Sequence, residues 1–565
     1  MQAVKGFARL KQRTTAPYLL ELDLSQPLLE DEPTELPARL LRRRRASLPL
    51  MLRVLRDATD DPKVCGLVAK VGPRAMGLAQ AQEVRDAVAA FCSSGKPAVA
   101  WSETFGEFSA ATVPYYLASG FDEIWLQPSG EVGFVGIASG SLFLAEALDR
   151  AGVRRQISTR HEYKSAANIF LERSFTKPQR EAARRVVTSL FDQVTAGVAS
   201  SRHLPEQVVR DLADRAPVPA SEALEAGLVD HLGYRDEVYA YLRRRTGPAT
   251  KLLFAHRYRR RRPVSVQAHF AITRRRSVVA LVTGNGRIRL GRGAQGPFPA
   301  ATMGSDTVCA ALRAALEDER VRAVVFRVNS PGGSYVASDA IWREVKCLKD
   351  AGKPVVVSMA DVAASGGYFV SAPADVIVAQ PGTLTGSIGV LGGKFSLGDL
   401  LNRLGIGHDA VTVGRHARMT SPFVQFTEDE WRKLSEWLDR VYDDFISKVA
   451  TGRSMTKEAV HEVARGRVWT GADAQGLGLV DELGGLNRAL ALARSRAGLP
   501  ASSELVRFPR TSPLQQLRAP RSSEDNTAAV TAFGSWEPFS ALAARLGLPP
   551  AGPLTMAPLD LGQGA

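Results

Sequence analysis

Two glycine-rich passages in the second half of the chain have the residue types that nucleophilic catalysis needs. The first, NSPGGS at 329–334, directly follows an apolar run that predicts a buried strand. Because proline fixes one φ angle and glycine permits positive φ, such a turn can aim backbone N–H groups at one point. An oxyanion hole requires that arrangement, so we predict that the N–H of Gly333 contributes to one.

The second passage, AASGGY at 363–368, is followed by an apolar segment that predicts a helix. A serine at the start of a helix lies at the positive end of the helix dipole, and its small neighbours leave room for a substrate carbonyl. We therefore predict that Ser365 is a nucleophile and that the N–H groups of Gly366 and Gly333 face the same oxyanion. The competing interpretation is a helix-capping turn without chemistry.

An internal repeat supplies a candidate base for Ser365. Residues 61–72 (DPKVCGLVAKVG) match residues 318–329 (DERVRAVVFRVN), and GLVDHLG at 227–233 matches GLVDELG at 478–484. The offset between the copies falls from 257 through 253 to 251 along the repeat. A duplicated unit of this length indicates two copies of one fold, not a solenoid of short repeats.

The two copies have lost complementary residues. At the offset of 253, Lys164 of the first copy aligns with Ala417, whereas Ser365 of the second copy aligns with Thr112. The other candidates are replaced too, Ser387 by Phe134 and Gly332-Gly333 by Ala75-Met76. This pattern predicts one composite site in which buried Lys164, its pKa lowered from about 10.4 by desolvation, takes the serine proton. A hydrogen bond from Ser387 would hold the neutral amine.

Other interpretations of these residues stay open. Lys164 could be an ordinary surface lysine, and a histidine could be the base instead. Of the eight histidines, His161 lies three residues before Lys164, and His416 lies beside Ala417. A Ser365–His416 pair would keep the site within the second copy. No HExxH or other metal-binding pattern occurs in the sequence, so we expect no metal and no organic cofactor.

Most of the formal net charge of +15 comes from one segment. Residues 243–276 contain eleven Arg, one Lys and no acidic residue. This segment could be a solvated connector, contact an anionic membrane surface or bind nucleic acid. The last is the least favoured, because no zinc finger, helix-turn-helix or aromatic platform accompanies it. The four cysteines form no CxxC pair and predict buried thiols without disulfides.

Strand and helix patterns alternate in both copies, which predicts an α/β fold with mainly parallel sheets. The predicted strands are 19–24, 64–71, 98–101, 123–126, 277–283, 321–328, 355–358 and 375–379, and the helices include 77–92, 305–319, 334–351 and 428–451. The glycine-rich stretch 284–304 predicts a mobile loop or lid. The predicted domains are a basic segment 1–14, the repeats 15–242 and 277–500, a connector 243–276 and a loosely ordered extension 501–565.

The sequence contains no signal-peptide pattern at its start and no run of 18 apolar residues, which predicts a cytoplasmic or peripheral membrane protein.

Five motifs together resemble the signal peptide peptidase A family, also called protease IV or peptidase family S49, in its long tandem-repeat form. The motifs are EYKSA at 162–166, SPGGS at 330–334, ASGGY at 364–368, LTGSIGV at 384–390 and GLVDELGG at 478–485. The resemblance covers about residues 15–500. It implies two tandem ClpP/crotonase-like domains, each a mainly parallel sheet with flanking helices.

The resemblance also implies an activity and a site. Ser365 would be the nucleophile, Lys164 the general base, and Ser387 the residue that positions the lysine. The protein would be a serine endopeptidase that degrades cleaved signal peptides or other hydrophobic or unfolded peptides, assembled as a ring-like homo-oligomer, a tetramer in the long forms, at a membrane. Relatives usually begin with a membrane anchor, which this sequence does not show.

Two other classes of function remain compatible with these residues. A crotonase-like enzyme acting on acyl-CoA thioesters would use the same oxyanion geometry without needing Ser365 beside a lysine. A non-catalytic scaffold would bind peptides without cleaving them.

Overall fold

The computed structural model describes residues 17–31, 47–73, 76–107, 109–258, 277–293 and 302–509, and the backbone of 554–555. The predicted basic segment 1–14, the Arg-rich residues 259–276 and most of the C-terminal extension lie outside the described residues. The described chain divides into two compact units. The first contains the residues up to 138 and 190–258, and the second contains 139–189, 277–509 and 554–555.

The first unit is built on a six-stranded parallel sheet. Its strands, in spatial order, are His231–Leu232, Glu123–Leu126, Ala98–Ser102, Val64–Val71, Tyr18–Leu24 and Lys251–Phe254. A second pairing, antiparallel, joins Glu131–Val132 to Val218–Pro219. The helices are Leu48–Thr59, Leu78–Cys92, Thr112–Ala118, the second half of Lys177–Arg202, Glu206–Arg215, Ala220–Glu225 and Arg235–Thr246, with a 3-10 turn at Ala255–Arg257.

The second unit contains an eight-stranded sheet. The main path runs Val468–Thr470, Leu384–Gly386, Val355–Ala364, Val321–Ser330, Val278–Asn285 and Glu504–Arg507, and Val376–Ala379 joins Val355–Ala364 to Glu482–Leu483. All pairings are parallel except the one between Leu384–Gly386 and Val468–Thr470. Strands buried on both faces read as continuous apolar runs, as VVALV and VVVSMA do here.

The helices of the second unit pack around this sheet. They are Ala145–Ala151, Asn168–Leu171, the first half of Lys177–Arg202, Ser305–Glu317, Tyr335–Asp350, Gly366–Ser371, Gly398–Arg403, Glu428–Arg453, Lys457–Val463, Gly471–Gly476 and Leu486–Arg496, with a 3-10 turn at Ser165–Ala167. A separate antiparallel pair joins Arg154–Thr159 to Leu391–Ser396. This pair brings a segment of the first sequence copy into the second unit.

The repeat read from the sequence is visible in matching contacts. Lys96 donates from its Nζ to the carbonyls of Ala58, Thr59 and Asp61. Lys353, at the same place in the second copy, donates to the carbonyls of Ala315, Leu316 and Asp318. In each copy, one lysine therefore donates hydrogen bonds to carbonyl groups at a helix end that have no partner within the helix. The predicted α/β fold class with mainly parallel sheets is confirmed.

The structure describes parts of two stretches predicted as a lid and as a connector. In the stretch 284–304, Arg287–Arg289 and Thr302–Gly304 are strands of a small sheet that also includes Gly332–Gly333, so these parts are not a mobile loop. Ile288 of that sheet is buried, which fixes the strand Arg287–Arg289, and residues 294–301 lie outside the described residues. Of the predicted connector 243–276, residues 243–246 complete the helix Arg235–Thr246, and Lys251–Phe254 is a strand of the first sheet.

The remaining expectations concern cysteines and membrane helices. All four cysteines are free, but only Cys309 is buried, and the other three are half-buried. Within the described ranges, no helix has both the length and the apolar character needed to span a bilayer.

Candidate active site

Ser365 lies where the central strand Val355–Ala364 ends and the helix Gly366–Ser371 begins. Its backbone has φ +55° and ψ −115°, a conformation that costs a non-glycine residue about 1–3 kcal/mol. The N–H of Ser365 donates to the carbonyl of Gly386 at 2.8 Å, which anchors the turn. The side chain is fully buried. Such strain persists only where the surroundings impose it, and the Ser365 side chain makes no capping hydrogen bond to the helix that follows.

Lys164 reaches Ser365 from a loop held by a different strand pair. The loop follows Arg154–Thr159, which pairs along its whole length with Leu391–Ser396. Lys164 Nζ lies 2.8 Å from Ser365 Oγ, and the lysine side chain is only 2% exposed. Both residues belong to the second unit, although Lys164 is in the first sequence copy.

Ser387 completes the surroundings of the amine. Lys164 Nζ lies 2.8 Å from the Ser387 carbonyl oxygen and 3.1 Å from Ser387 Oγ. Ser387 has φ +51°, and this backbone turn presents its carbonyl and hydroxyl to the same point. A neutral primary amine has two N–H donors and one lone pair. The two donors match the two oxygens of Ser387, which leaves the lone pair for the hydroxyl proton of Ser365.

Burial sets the protonation state of Lys164. Desolvation in this closed setting lowers the pKa of the Lys164 ammonium well below its usual 10.5. No acidic side chain in the described part of the chain forms an ion pair with Lys164 that would offset this. The neutral amine is therefore favoured at pH values below the usual lysine pKa, where an exposed lysine would be charged.

Gly333 and Gly366 lie close together beside the serine. A Cβ added to Gly366 would lie 3.1 Å from the nitrogen of Gly333 and 2.9 Å from Ser338 Oγ. A Cβ on Gly333, which has φ +155°, would lie 2.0 Å from the carbonyl oxygen of Ile288. Neither position has room for a side chain. The absence of side chains at Gly333 and Gly366 therefore lets the two backbone segments come close together, which is compatible with the predicted oxyanion hole.

Two further glycines pack against Lys164 and were not predicted. A Cβ on Gly466, which has φ +86°, would lie 2.5 Å from the backbone nitrogen of Lys164 and 2.6 Å from its Cα. A Cβ on Gly389 would lie 3.2 Å from Lys164 Cδ. Gly389 falls inside the LTGSIG motif and could have been inferred from it. Gly466 lies in ARGR at 464–467, a sequence without any turn motif.

The histidine alternative finds no support in the geometry. The His161 ring packs against Tyr442 and His461, with centroids 4.4 and 4.8 Å away, and desolvation followed by the nearby His461 lowers the His161 pKa. His416 Nε2 lies 3.1 Å from Asp429 Oδ2. Within the described residues, the side-chain partner of the Ser365 hydroxyl is Lys164.

Within the described residues, the first copy has no equivalent site. Thr112, aligned with Ser365, begins the helix Thr112–Ala118 and donates its hydroxyl proton to the Gly136 carbonyl at 2.7 Å. Phe134, aligned with Ser387, is fully buried. The hydroxyl of Thr112 is therefore used in a local hydrogen bond, and the position of Ser387 is occupied by an apolar side chain in the first copy.

A cleft opens beside the chain neighbours of Lys164. It is lined by residues that include Tyr163, Ser165, Phe175, Val186 and Val468. Its mixture of aromatic, aliphatic and hydroxyl groups suits an apolar side chain of a bound ligand.

Comparison with known proteins identifies the family to which this site belongs. The model of peptidase family S49 matches residues 90–247 and 347–500. The first segment contains Lys164 and the second contains Ser365 and Ser387, whereas Gly333 lies outside both.

Three relatives cover most of the chain. The chain is 31% identical to the chloroplastic serine protease SPPA of Arabidopsis thaliana over 81% of its length and 67% of the relative. It is 34% identical to protease 4 of Salmonella typhi over 80% of its length and 72% of the relative. It is 30% identical to protease 4 of Haemophilus influenzae over 77% of its length and 71% of the relative. The chain belongs to peptidase family S49 and is a serine peptidase.

Proposed function

We propose that the protein is an endopeptidase with a Ser365–Lys164 dyad. The observation that carries this proposal is the 2.8 Å contact between Lys164 Nζ and Ser365 Oγ in a buried site. Neutral Lys164 accepts the hydroxyl proton as Ser365 Oγ bonds to the scissile carbonyl carbon. The N–H groups of Gly333 and Gly366 stabilise the resulting oxyanion. The Lys164 ammonium then protonates the leaving amine, and the neutral amine activates the water that releases the acyl group.

The substrates we propose are extended, apolar peptides, such as cleaved signal peptides or unfolded segments. The backbone of 554–555 pairs antiparallel with Gly332–Gly333, which supports the idea that this edge accepts an extended peptide. The buried serine and the cleft beside Lys164 support a preference for small or apolar side chains. The family resemblance adds a homo-oligomer, a tetramer, at a membrane, and the Arg-rich segment 243–276 adds peripheral contact with an anionic membrane surface. We carry both as part of the proposal.

The substrate class is tested with two peptides of equal length. One has the apolar core of a signal peptide, and the other has that core replaced by serine and aspartate. We expect kcat/KM for the apolar peptide to be higher by at least about 100-fold, because each apolar side chain in a pocket contributes about 1–3 kcal/mol. Mass spectrometry of the products locates internal cuts. Equal rates, or removal of terminal residues only, would contradict the proposed substrate class, and hydrolysis of acyl-CoA thioesters but neither peptide would favour the crotonase-like reaction.

Gly466→Ala is expected to lower kcat by about 100-fold. An alanine Cβ there must displace the backbone of Lys164, and a shift of about 1 Å in a reacting group has an effect of that size. The measurement is steady-state hydrolysis of the apolar peptide. Gly476→Ala is the matched control, since a Cβ at Gly476 meets nothing within 4 Å. An unchanged kcat in Gly466→Ala would show that Lys164 does not need this support.

A further inference from the structure

The chain contains one helix–turn–strand segment twice, at an offset of 253. In the first copy, Leu144 N–H donates to the Ile169 carbonyl at 2.6 Å and Val153 N–H donates to the Leu148 carbonyl at 2.8 Å. The same bonds recur in the second copy, where Leu397 donates to Pro422 at 2.6 Å and Ile406 donates to Leu401 at 2.9 Å. The helices Ala145–Ala151 and Gly398–Arg403 are therefore equivalent, and so are the residues that follow them.

The two segments differ in what their strands pair with. After the first helix, Arg154–Thr159 forms an antiparallel ladder with Leu391–Ser396. After the second, residues 407–412 form neither helix nor strand and join no ladder among the described residues. At the same offset, the counterpart of Leu391–Ser396 is 138–143, and the described chain shows no ladder between 138–143 and 407–412. Among the described residues these two stretches are therefore not joined to each other, and 138–143 contains one bridge residue, Gly140.

The unpaired copy exposes apolar side chains whose counterparts are covered. Ile406 is 50% exposed, whereas its counterpart Val153 is 7% exposed. Phe423 is 36% exposed, whereas its counterpart Phe170 is 1% exposed. Around them, Leu404, Val411 and Val413 are also exposed. Exposed large apolar side chains grouped in one segment are typical of a site of protein–protein contact.

Beside the ladder between Arg154–Thr159 and Leu391–Ser396 there is an aromatic contact whose counterpart in the second segment is exposed. Phe170 meets Phe395 edge to face, with ring centroids 5.3 Å apart. The counterparts are Phe423 and Leu142, and Leu142 is 83% exposed. Similarly, a Cβ on Gly152 would lie 3.1 Å from the nitrogen of Leu400, whereas its counterpart Gly405 faces open space. The second segment therefore exposes residues whose counterparts in the first segment are covered by a neighbouring element.

We propose that residues 407–411 of one chain form an antiparallel ladder with residues 139–143 of a second copy of the same chain. The ladder within one chain gives the register, in which Lys394 lies opposite Gln156 and Phe395 opposite Arg155. Transferred by the offset, Val411 lies opposite Ser139 and His408 opposite Leu142. This proposal rests on the proposed oligomer and deepens it by naming the contact surfaces.

The contact joins two different surfaces, so it is head to tail. Each chain offers one strand to the next copy and receives one from the previous copy, and such contacts close into a ring when the rotation permits. Ala417 follows the strand of this contact, at the place that Lys164 has after Arg154–Thr159. The contact between copies therefore carries no dyad, which accounts for the complementary loss of residues in the two copies.

The register is tested by oxidative cross-linking of the full chain. Leu142→Cys combined with His408→Cys puts two thiols directly opposite one another between neighbouring copies. The matched control, Leu142→Cys with Asp409→Cys, moves the second thiol to the other face of the strand. We expect covalent dimers and higher multimers on non-reducing gels, at least about tenfold more in the first pair than in the control and in each single variant. Equal yields in the two pairs would overturn the register.

The assembly itself is tested by sedimentation. Val411→Asp is expected to weaken association by at least about tenfold, because it places a charge in the ladder, whereas the control Val208→Asp alters a similarly apolar but unrelated exposed site. Wild type that sediments as a monomer at micromolar concentration would overturn the proposal. Phosphonate labelling of Ser365 is scored separately in every variant, since both dyad residues come from one chain. Failed cross-linking with intact labelling counts against the interface alone, and absent labelling of wild type counts against the proposed chemistry.

Discussion

Ser365→Ala is expected to lower kcat for peptide hydrolysis by on the order of 10⁴- to 10⁶-fold, the largest effect of any single change in this chain. Removing Oγ removes the atom that bonds to the scissile carbonyl, and residues that act as a unit lose nearly all their joint effect when one is removed. Folding should be intact, because the backbone N–H of Ser365, not its side chain, anchors the turn to Gly386. The measurement is hydrolysis of the apolar peptide, together with the mass added by a peptidyl phosphonate.

Ser371→Ala is the matched control for this change. Ser371 is a second buried serine in the same helix, and its hydroxyl donates to the Gly367 carbonyl at 2.7 Å. Its removal should cost about 1 kcal/mol of stability and leave kcat within about threefold of wild type. Phosphonate mass on Ser365→Ala, or peptide hydrolysis by this variant above about one tenth of the wild-type rate, would contradict the nucleophilic role of Ser365.

Lys164→Met is expected to lower kcat by about 10³- to 10⁴-fold and to raise stability at neutral pH. The loss of activity follows from removal of the only base that contacts Ser365 in the described site. The gain in stability follows from linkage. Burial depresses the pKa of Lys164 in the folded state, so the unfolded chain binds a proton that the folded chain lacks between the two pKa values. Unfolding free energy contributed by this residue therefore rises with pH across that window and is lowest below it.

The measurement for Lys164→Met is urea unfolding at several pH values beside peptide hydrolysis. Methionine fills the space without a charge, so the variant should lack the rise in stability with pH that Lys164 gives to wild type. Lys346→Met is the control, because Lys346 is exposed and pairs with Asp350 at the surface, a contact of about 0.3–0.5 kcal/mol. A Lys164→Met protein with wild-type activity, or one less stable than wild type at every pH, would contradict a buried neutral amine.

The sequence alone predicted the parts of the fold that local patterns control. The strand Glu123–Leu126 and the start of the helix Ser305–Glu317 were predicted correctly to the residue, because apolar runs and helix-start signals define both ends locally. The strand Val355–Ala364 runs six residues beyond its prediction, since its second half pairs with Leu384–Gly386 and lacks a strong apolar pattern. The division into repeats 15–242 and 277–500 stays a prediction.

For the site too, the sequence motifs indicated the candidate residues but not the tertiary contacts that bring them together. Ser365, Lys164, Ser387, Gly333 and Gly366 lie in recognisable motifs, and their predicted roles stay predictions until the variants are measured. The comparison of the two copies singled out Lys164, but it could not show that the strand pair Arg154–Thr159 and Leu391–Ser396 carries the lysine into the second unit. Gly466 was missed because its positive φ and its contact with Lys164 arise only in the folded chain.

The most direct test of the dyad is the pH dependence of Ser365 phosphonylation. The rate of labelling by a peptidyl phosphonate is measured from about pH 6 to about pH 10 in wild type and in Lys164→Met. A neutral Lys164 that accepts the serine proton predicts a rate that rises with pH through one ionisation well below 10.5, and a slow, nearly pH-independent rate in the variant. A flat wild-type profile, or the same rising profile in Lys164→Met, would contradict the role of Lys164 as the base.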